Sequence, residues 1–286
     1  MRILMLGNSL TTANGLPDLL AKRLDAEVVV HARGGARLAE HLNPKTKLGE
    51  KTQRALADER WDYVVLQEMS NGPVTSRERF LDSTSALCEM VCANGAQPIL
   101  YATWAYAPDC PKLAKLGLTH DQMHKQMHAA FAEAAQAGGA TLADAERVFF
   151  CRADKKLLYA PDGVHPSEVG STLAANCIAR TIESMRPYWV YLVRCEDGSY
   201  YTGITTDVDR RFQEHNERGP KAAQYTRTHR VVALEATWRA AGRSAASKLE
   251  YRVKQLTHRQ KAQLADNPDA LFKLAPDVLL GALPAD

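Results

Sequence analysis

The sequence has no cysteine pairs in a spacing that indicates disulfides or a zinc site. Its six cysteines form no CxxC pair, and most of them lie in apolar runs. Isolated thiols of this kind are typical of a reducing cytosol. No apolar run approaches the roughly 20 residues that cross a bilayer, and the chain enters an apolar run at Ile3 without the basic and apolar regions of a signal peptide. We therefore expect a cytoplasmic protein that does not contact a membrane.

The chain also lacks a glycine- and serine-rich linker and a strong overall charge. Its 286 residues, 45% of them hydrophobic and 24% charged, are typical of a soluble globular protein and suggest two domains. Residues 1–187 hold 21 basic and 21 acidic side chains, whereas residues 188–264 hold 14 and 8. A polyanion is therefore expected to bind the second part. Because Arg186-Pro187 ends a predicted helix, we predict domains at residues 1–187 and 188–265, followed by a tail at 266–286.

Short apolar runs alternate with helical patterns in the first part of the chain. This alternation predicts an α/β fold with a doubly wound parallel sheet of about five strands. Ser9 follows the first predicted strand, at the carboxyl edge of the sheet, where such folds place their active sites.

A second chemical motif, Asp162-Gly163-Val164-His165, precedes a predicted helix over residues 168–185. One loop can thus present His165 together with the carboxylate that orients it. With Ser9, these side chains form a nucleophilic triad, in which His165 takes the serine proton and Asp162 stabilises the imidazolium. The alternative is that Ser9 is a turn residue and that Asp162 and His165 only cap a loop.

Gly-Asn-Ser at residues 7–9 and the Asp-x-x-His block resemble the first and last motifs of the SGNH (GDSL-type) hydrolase family, over about residues 1–185. The resemblance implies a flavodoxin-like fold, a small ester or acylated substrate and no cofactor. Asn8 departs from the family because it replaces an aspartate.

The same resemblance implies an oxyanion hole with three donors. Two are backbone N–H groups, one from the serine and one from Gly34 or Gly35, of which we choose Gly35. The third is a side-chain amide from Gln67 or Asn71. We favour Gln67 because it ends the third strand.

The second part of the chain is most informative at residues 189–216. The run at residues 190–195 predicts a strand, Asp197-Gly198 a hairpin turn, and residues 200–205 the partner strand. Asp207 can cap the helix that follows.

Polar side chains in this stretch are expected to converge. Tyr191 and Tyr201 lie on the paired strands, and Arg211 and His215 share one helix face. A phenol or imidazole can take a proton from water, and a guanidinium can bind phosphoryl oxygens, so the set suits phosphodiester cleavage. Glu250 on a later helix could bind a divalent cation. The alternative is that these residues are sheet aromatics and surface charges.

These residues resemble the GIY-YIG nuclease superfamily, specifically its small stand-alone branch, over about residues 188–264. Residues 190–192 and 201–203 stand where the family has its first and second sequence motifs. Arg211 falls at the family's arginine position, His215 at its helix histidine or tyrosine, and Glu250 at its metal-binding glutamate. The resemblance implies a small α+β domain with a three-stranded antiparallel sheet, Mg²⁺ or Mn²⁺ as cofactor, and DNA or RNA as partner. Which tyrosine is the general base stays open.

A basic segment at residues 221–230 mixes cations with an aromatic side chain. Lys221, Arg227 and Arg230 could track a phosphate backbone, and Tyr225 could stack on a base. The alternative is a solvated loop.

Three histidines lie at helical spacing in the first part. His120, His124 and His128 could chelate a metal, but no carboxylate or cysteine is placed by sequence to complete the site. A solvated polar face is therefore the favoured interpretation.

We hypothesise a bifunctional hydrolase with an SGNH-type esterase and a GIY-YIG nuclease. Two alternatives are kept: a second domain that binds nucleic acid without cleaving it, and a first domain that is an inactive scaffold. Ile204 stands where some nucleases carry lysine, and no asparagine lies a few turns after Glu250, where several nucleases have one; both departures favour the former slightly. The sequence leaves the acyl substrate and the oligomeric state open.

Overall fold

The computed structural model describes residues 1–240, 242–274 and 282–284. The chain folds into two compact units, Met1–Ile182 and Glu183–Asp286. The domain limits at 187 and 265 stay a prediction. Among the described helices, none combines the length and the apolar character that a bilayer crossing requires.

A five-stranded parallel sheet with strand order β2-β1-β3-β4-β5 forms the centre of the first unit. The strands β1, β3 and β4 are almost entirely buried, because helices cover both faces of a doubly wound sheet. The predicted flavodoxin-like α/β fold is confirmed. The strands are β1 (Arg2–Gly7), β2 (Glu27–Ala32), β3 (Tyr63–Leu66), β4 (Gln97–Ala102) and β5 (Thr141–Asp144).

Helices fill the connections between these strands. The long helix α8 starts with a capping box between Thr119 and Gln122, and Gly139 ends it with a φ of 64°. The helices are α1 (Ser9–Thr12), α2 (Leu16–Leu24), α3 (Leu38–His41), α4 (Lys47–Asp58), α5 (Gly72–Thr75), α6 (Arg77–Asn94), α7 (Pro111–Leu116), α8 (His120–Gly138), α9 (Ala145–Cys151) and α10 (Glu168–Met185).

The histidine face of α8 differs from the solvated face that we expected. His120 is buried, and its Nδ1 lies 2.7 Å from the carbonyl oxygen of Tyr106. The His124 ring stacks on Phe150 with a centroid separation of 3.5 Å. Only His128 is largely exposed. The periodicity predicted the helix, but α9 covers the face that the spacing left open.

An antiparallel sheet with strand order β7-β6-β8-β9 forms the second unit. Its first three strands confirm the predicted three-stranded sheet, and β9 adds a short fourth strand. The rest of the predicted tail, at residues 275–281 and 285–286, lies outside the described residues. The strands are β6 (Tyr188–Cys195), β7 (Tyr200–Thr205), β8 (Val231–Ala240) and β9 (Ala282–Pro284).

The alternation of side chains along β6 separates two faces of this sheet. Val190 and Leu192 pack into an apolar core with Leu249 and Trp238. Tyr191 belongs to a second cluster on the opposite side. Its hydroxyl is therefore available to polar groups outside the main core. The helices of the unit are α11 (Val208–Glu217), α12 (Gln224–Thr228), α13 (Arg243–Gln255), α14 (His258–Asp266) and α15 (Leu271–Leu274).

Candidate active sites

The first site joins the end of β1 to the loop before α10. Ser9 is the first residue of α1, and its Oγ lies 2.9 Å from Nε2 of His165. Nδ1 of the same imidazole lies 2.6 Å from Oδ2 of Asp162. The structure thus brings the three predicted triad residues into one hydrogen-bonded chain, although Ser9 and His165 are 156 positions apart.

The charge of Asp162 determines the direction of these hydrogen bonds. Partial burial opposes its ionisation, but hydrogen bonds from the His165 side chain and from the N–H groups of Val164 and His165 lower the pKa of Asp162 to about 2. The carboxylate therefore accepts the Nδ1 proton of His165. Nε2 then carries the lone pair that accepts the Ser9 hydroxyl proton.

The segment after β4 holds the Asp162–His165 loop in place. The N–H of Ala107 donates to the Gly163 carbonyl over 2.8 Å, and the indole N–H of Trp104 donates to the Val164 carbonyl over 3.0 Å. Gly163 has a φ of 66°, and an added Cβ would lie 2.9 Å from Cβ of Cys110. Glycine is therefore required at this position both by the backbone conformation and by the close approach.

Gln67 differs from its predicted role as an oxyanion donor. Its Oε1 accepts hydrogen bonds from the Asn8 N–H and the Thr11 hydroxyl, and its Nε2 donates to the Glu68 carbonyl. The amide is fully buried. The oxygen and one N–H of the amide are thus engaged in holding the turn after β1, and the amide has no exposed surface at which to meet a substrate.

Asn71 and Gly35 have unused hydrogen-bonding groups. Oδ1 of Asn71 is buried without a partner, and its Nδ2 forms no hydrogen bond with any described group. The Gly35 N–H has no acceptor in the described part of the chain, and the space around its Cα is open. The Ser9 N–H lies in the first turn of α1, where no intrahelical acceptor is present. These groups stay the predicted oxyanion donors.

Asn8 connects the two loops that carry the backbone donors. Its Nδ2 donates to the Ala36 carbonyl over 2.9 Å, and its Oδ1 accepts the Leu10 N–H over 3.0 Å. Asn8 is buried, and the Ala36 carbonyl belongs to the residue next to Gly35. An amide can both donate and accept here, whereas an ionised aspartate can only accept. Asparagine, which replaces the family's aspartate at this position, can therefore form both hydrogen bonds of the bridge.

The second site lies on the outer face of β6 and β7. The Tyr191 hydroxyl is 2.8 Å from Nε2 of His215, and Nε of Arg211 donates to the same hydroxyl over 3.3 Å. Tyr191 pairs with Gly203 across the strands. An added Cβ on Gly203 would lie 2.7 Å from Cζ of Tyr191, so glycine makes room for the phenol.

The environment of His215 sets its tautomer and its charge. Its Nδ1 lies 2.6 Å from the Thr226 hydroxyl, which itself donates to the Ala223 carbonyl over 3.1 Å. Nδ1 therefore carries the proton, and Nε2 accepts the Tyr191 hydroxyl proton. Burial, with a contribution from the nearby Arg211 charge, lowers the pKa of His215 from 6.5 to about 4. The imidazole is neutral at pH 7.

The two tyrosines differ in their surroundings. Burial raises the pKa of Tyr191 to about 12, although the hydrogen bond from Arg211 opposes the rise and the nearby Glu250 charge adds to it. The Tyr201 ring lies 5.5 Å from that of His215, and its hydroxyl forms no hydrogen bond with any described group. The structure brings Tyr191, Tyr201, Arg211 and His215 together.

Known families match both units. The sequence profile of the GDSL-like lipase/acylhydrolase family matches residues 5–173. The chain belongs to this family. An SGNH hydrolase of known structure from Slackia heliotrinireducens is 59% identical, covers 64% of this chain and 98% of its own, and superposes with a TM-score of 0.62.

The profile of the GIY-YIG catalytic domain matches residues 187–263. A UPF0213 protein of Desulfotalea psychrophila is 50% identical over 90 residues, which is 31% of this chain and 80% of that protein. The UPF0213 protein YhbQ of Escherichia coli O157:H7 is 43% identical over 90 residues, 32% of this chain and 88% of that protein. The chain is thus a fusion of an SGNH hydrolase domain and a small GIY-YIG domain, and both domains make it a hydrolase.

Glu250 is the carboxylate of the GIY-YIG domain that could hold a metal ion. It lies on α13, its side chain is 20% exposed, and its Oε1 accepts a hydrogen bond from Nζ of Lys254 over 2.8 Å. Its charge is close enough to oppose ionisation of Tyr191. A single carboxylate suits Mg²⁺, which keeps several waters and takes further oxygens from phosphates. The donor set therefore fits the expected cofactor.

The basic segment of the GIY-YIG domain is only partly free to bind. Arg227 donates to the backbone carbonyls of Ala222 and Pro220, so its guanidinium shapes the loop. Lys221 and Arg230 are exposed and form no ion pair with any described group.

Tyr225 differs from the expected free stacking platform. Its ring stacks on that of His229, with centroids 4.0 Å apart, and lies 5.9 Å from the Tyr201 ring at an angle of 14°. Its hydroxyl donates to Ser199 over 2.8 Å. The His229 ring thus already occupies one face of Tyr225, although 38% of the residue is exposed.

Sequence reasoning missed Glu68, which follows Gln67 behind the SGNH site. Glu68 is buried, accepts the Leu38 N–H over 3.0 Å and lies 4.0 Å from Arg37. Burial raises the pKa of its carboxyl. An acidic residue directly after a buried strand was the available signal.

Proposed function

We propose that the SGNH domain is a serine esterase or acyl hydrolase that acts on small esters or acylated molecules. The hydrogen-bonded chain from Ser9 through His165 to Asp162 is the observation that carries this proposal. The ionised Asp162 keeps the imidazole in the tautomer that can accept a proton from Ser9.

The reaction uses the triad in two proton transfers. The Ser9 hydroxyl attacks the substrate carbonyl while its proton passes to Nε2 of His165, and the imidazolium then protonates the leaving alcohol or amine. Water repeats the sequence on the acyl-enzyme and releases the acid. Negative charge on the tetrahedral intermediate is held by the N–H groups of Ser9 and Gly35 and by the Asn71 amide, which replaces Gln67 in this proposal.

The test is hydrolysis of p-nitrophenyl acetate by wild type and Ser9→Ala. We expect the variant to lose at least about 10²-fold in kcat, since the covalent pathway is removed. Ser76→Ala is the matched control, because Ser76 makes no capping hydrogen bond with its side chain. Equal rates for wild type and Ser9→Ala would leave the serine without a catalytic role and favour the inactive-scaffold alternative.

The GIY-YIG domain is proposed to cleave DNA or RNA phosphodiesters with the aid of a divalent metal ion. The hydrogen bond between the Tyr191 hydroxyl and Nε2 of His215 supports this role. Because the imidazole is neutral and its Nε2 carries no proton, this nitrogen can accept the phenol proton. Tyr191 is therefore our choice of general base, and it can take a proton from water as its own passes to His215. Tyr201 lines the same site.

Arg211 and Glu250 supply the charges that cleavage requires. Arg211 donates through Nε to Tyr191 and through Nη1 to Glu214 and to the Lys221 carbonyl. Its Nη2 forms no hydrogen bond with any described group and can bind a phosphoryl oxygen. A bound Mg²⁺ or Mn²⁺ supplies Lewis-acid stabilisation of the phosphate charge. Glu250 holds it, while Lys221 and Arg230 attract the nucleic-acid backbone.

The test is nicking of a supercoiled plasmid and cleavage of labelled RNA in Mg²⁺ or Mn²⁺. We expect Glu250→Ala to abolish cleavage while nucleic-acid binding is retained. Glu217→Ala is the matched control, since this glutamate is exposed at the end of α11. Binding by the wild type without cut products would support the non-cleaving alternative, and undiminished nicking by Glu250→Ala would remove the metal assignment.

A further inference from the structure

Three potential metal ligands meet in the SGNH domain, away from its triad residues, and a fourth lies beside one of these ligands. His124 and His128 lie one turn apart on α8, Asp144 ends β5, and Glu146 is in the first turn of α9. One ligand atom from each of His128, Asp144 and Glu146 lies within 4.8 Å of the other two. Nδ1 of His124 is in contact with Oε1 of Glu146. The cluster joins elements that are distant in sequence.

The Glu146 carboxylate has no fixed counter-charge. Its side chain is 1% exposed, and its Oε1 contacts the His124 ring but forms no hydrogen bond with any described group. Its ion-pair partners in the described part of the chain are the two imidazoles, with Nδ1 of His128 3.2 Å from Oε2. A carboxylate buried beside a second carboxyl, with one oxygen left without a hydrogen bond, is costly without a cation.

The ligands are held in place before any ion binds. The His124 ring lies flat against Phe150, at an angle of 4°. Oδ1 of Asp144 accepts the Arg147 N–H as the cap of α9, which leaves Oδ2 available. Histidines four residues apart on a helix point to one place, as metal-binding pairs do.

We propose that His124, His128, Asp144 and Glu146 bind a divalent transition-metal ion of the Zn²⁺ type. Two imidazole nitrogens and two carboxylate oxygens make a four-ligand set that suits Zn²⁺ or Co²⁺, whereas Mg²⁺ and Ca²⁺ prefer oxygen ligands alone. His124, which contacts Glu146, supplies the fourth ligand in this proposal, and a site closed by four protein ligands has a structural role.

The ion connects α8 to the element that supports the triad loop. α9 also carries Phe149, whose ring stacks on Trp104 with a centroid separation of 3.6 Å. The indole N–H of Trp104 donates to the Val164 carbonyl between the two loop residues of the triad. Metal binding therefore stabilises the packing on which the position of His165 depends.

The test uses the full chain with Glu250→Gln, so that the carboxylate of the GIY-YIG domain does not contribute. The chelator-treated protein is titrated with Co²⁺ while its visible ligand-field absorption and its Tm are recorded, and Zn²⁺ is then added as competitor. We expect one equivalent of Co²⁺, a higher Tm and displacement by Zn²⁺.

The variants separate this site from others. In the same background, His128→Ala should weaken Co²⁺ affinity at least about tenfold, and its folding should be retained because its side chain is 51% exposed. Glu146→Gln should also weaken Co²⁺ affinity. Glu133→Gln, a change at an exposed position of α8, should leave the affinity unchanged. No Co²⁺ absorption in the parent, or equal affinity in His128→Ala and the parent, would overturn the proposal.

Discussion

Replacement of Gly203 by alanine should damage both the stability and the chemistry of the GIY-YIG domain. Gly203 lies opposite Tyr191 on paired strands, and the added Cβ would be 2.7 Å from Cζ of the phenol. Contacts under 3.0 Å essentially never occur at a real Cβ, so one group must move. Tyr191 is 2% exposed and its hydroxyl is held by His215 and Arg211. The phenol can therefore move only by breaking these hydrogen bonds.

The size of the effect follows from three contributions. Overpacking costs about 1–3 kcal/mol, and loss of the hydrogen bond to His215 adds about 1 kcal/mol. The lower chain entropy of alanine in the unfolded state offsets about 0.5 kcal/mol. The net loss is about 1.5–3.5 kcal/mol, which corresponds to a decrease of roughly 6 °C or more in the Tm of a domain of this size. Displacement of the proposed base should lower the nicking rate by about 10²- to 10⁴-fold.

The measurement combines calorimetry with plasmid nicking on wild type, Gly203→Ala and Gly219→Ala. The third protein is the matched control, because a Cβ on Gly219 would meet nothing within 4 Å. A Gly203→Ala protein with the Tm and nicking rate of Gly219→Ala would refute the claim that the glycine makes room for a catalytic phenol.

Three further changes test other parts of the structure. Asp162→Asn should lower the kcat for ester hydrolysis by roughly 10²- to 10⁴-fold in a p-nitrophenyl acetate assay, because the amide no longer enforces the His165 tautomer. Asn8→Ala should lower kcat more than it raises KM in the same assay, since the bridge to the Ala36 carbonyl positions both backbone donors. The third change concerns acid stability: His215 has a folded pKa of about 4 against 6.5 when unfolded, so its contribution is full above pH 6.5 and is lost toward pH 4. Urea unfolding of the domain should show a loss of up to about 3 kcal/mol over this window, and His215→Gln should flatten it.

Periodicity and motif order were enough to predict the folds. The alternating runs predicted the parallel sheet, and the hairpin turn at Asp197-Gly198 predicted the pairing of β6 with β7. These features depend on local sequence, because burial of one or both faces of a strand determines its pattern. The approach of Ser9 to the Asp162–His165 loop was predicted from the order of the two motifs and from the family that they resemble.

The direction of an amide and the partners of a helix face could not be predicted in this way. Gln67 stands where a donor was expected, yet Asn8 and Thr11 turn its oxygen inward. Tyr225 has the residue type of a stacking platform, but the ring of His229 already stacks on it. Glu146 reaches the histidines of α8 through the packing of α9, which no spacing within α8 indicates. Each of these depends on tertiary contacts rather than on local pattern.

The most direct measurement of nucleophile activation is covalent labelling by a fluorophosphonate, followed by peptide mass spectrometry. A triad that activates Ser9 predicts one label per chain on the peptide that contains Ser9, and labelling at least about 10²-fold slower in His165→Ala. A wild-type protein that takes no label on Ser9, or takes it at the same rate without His165, would contradict the proposed serine hydrolase.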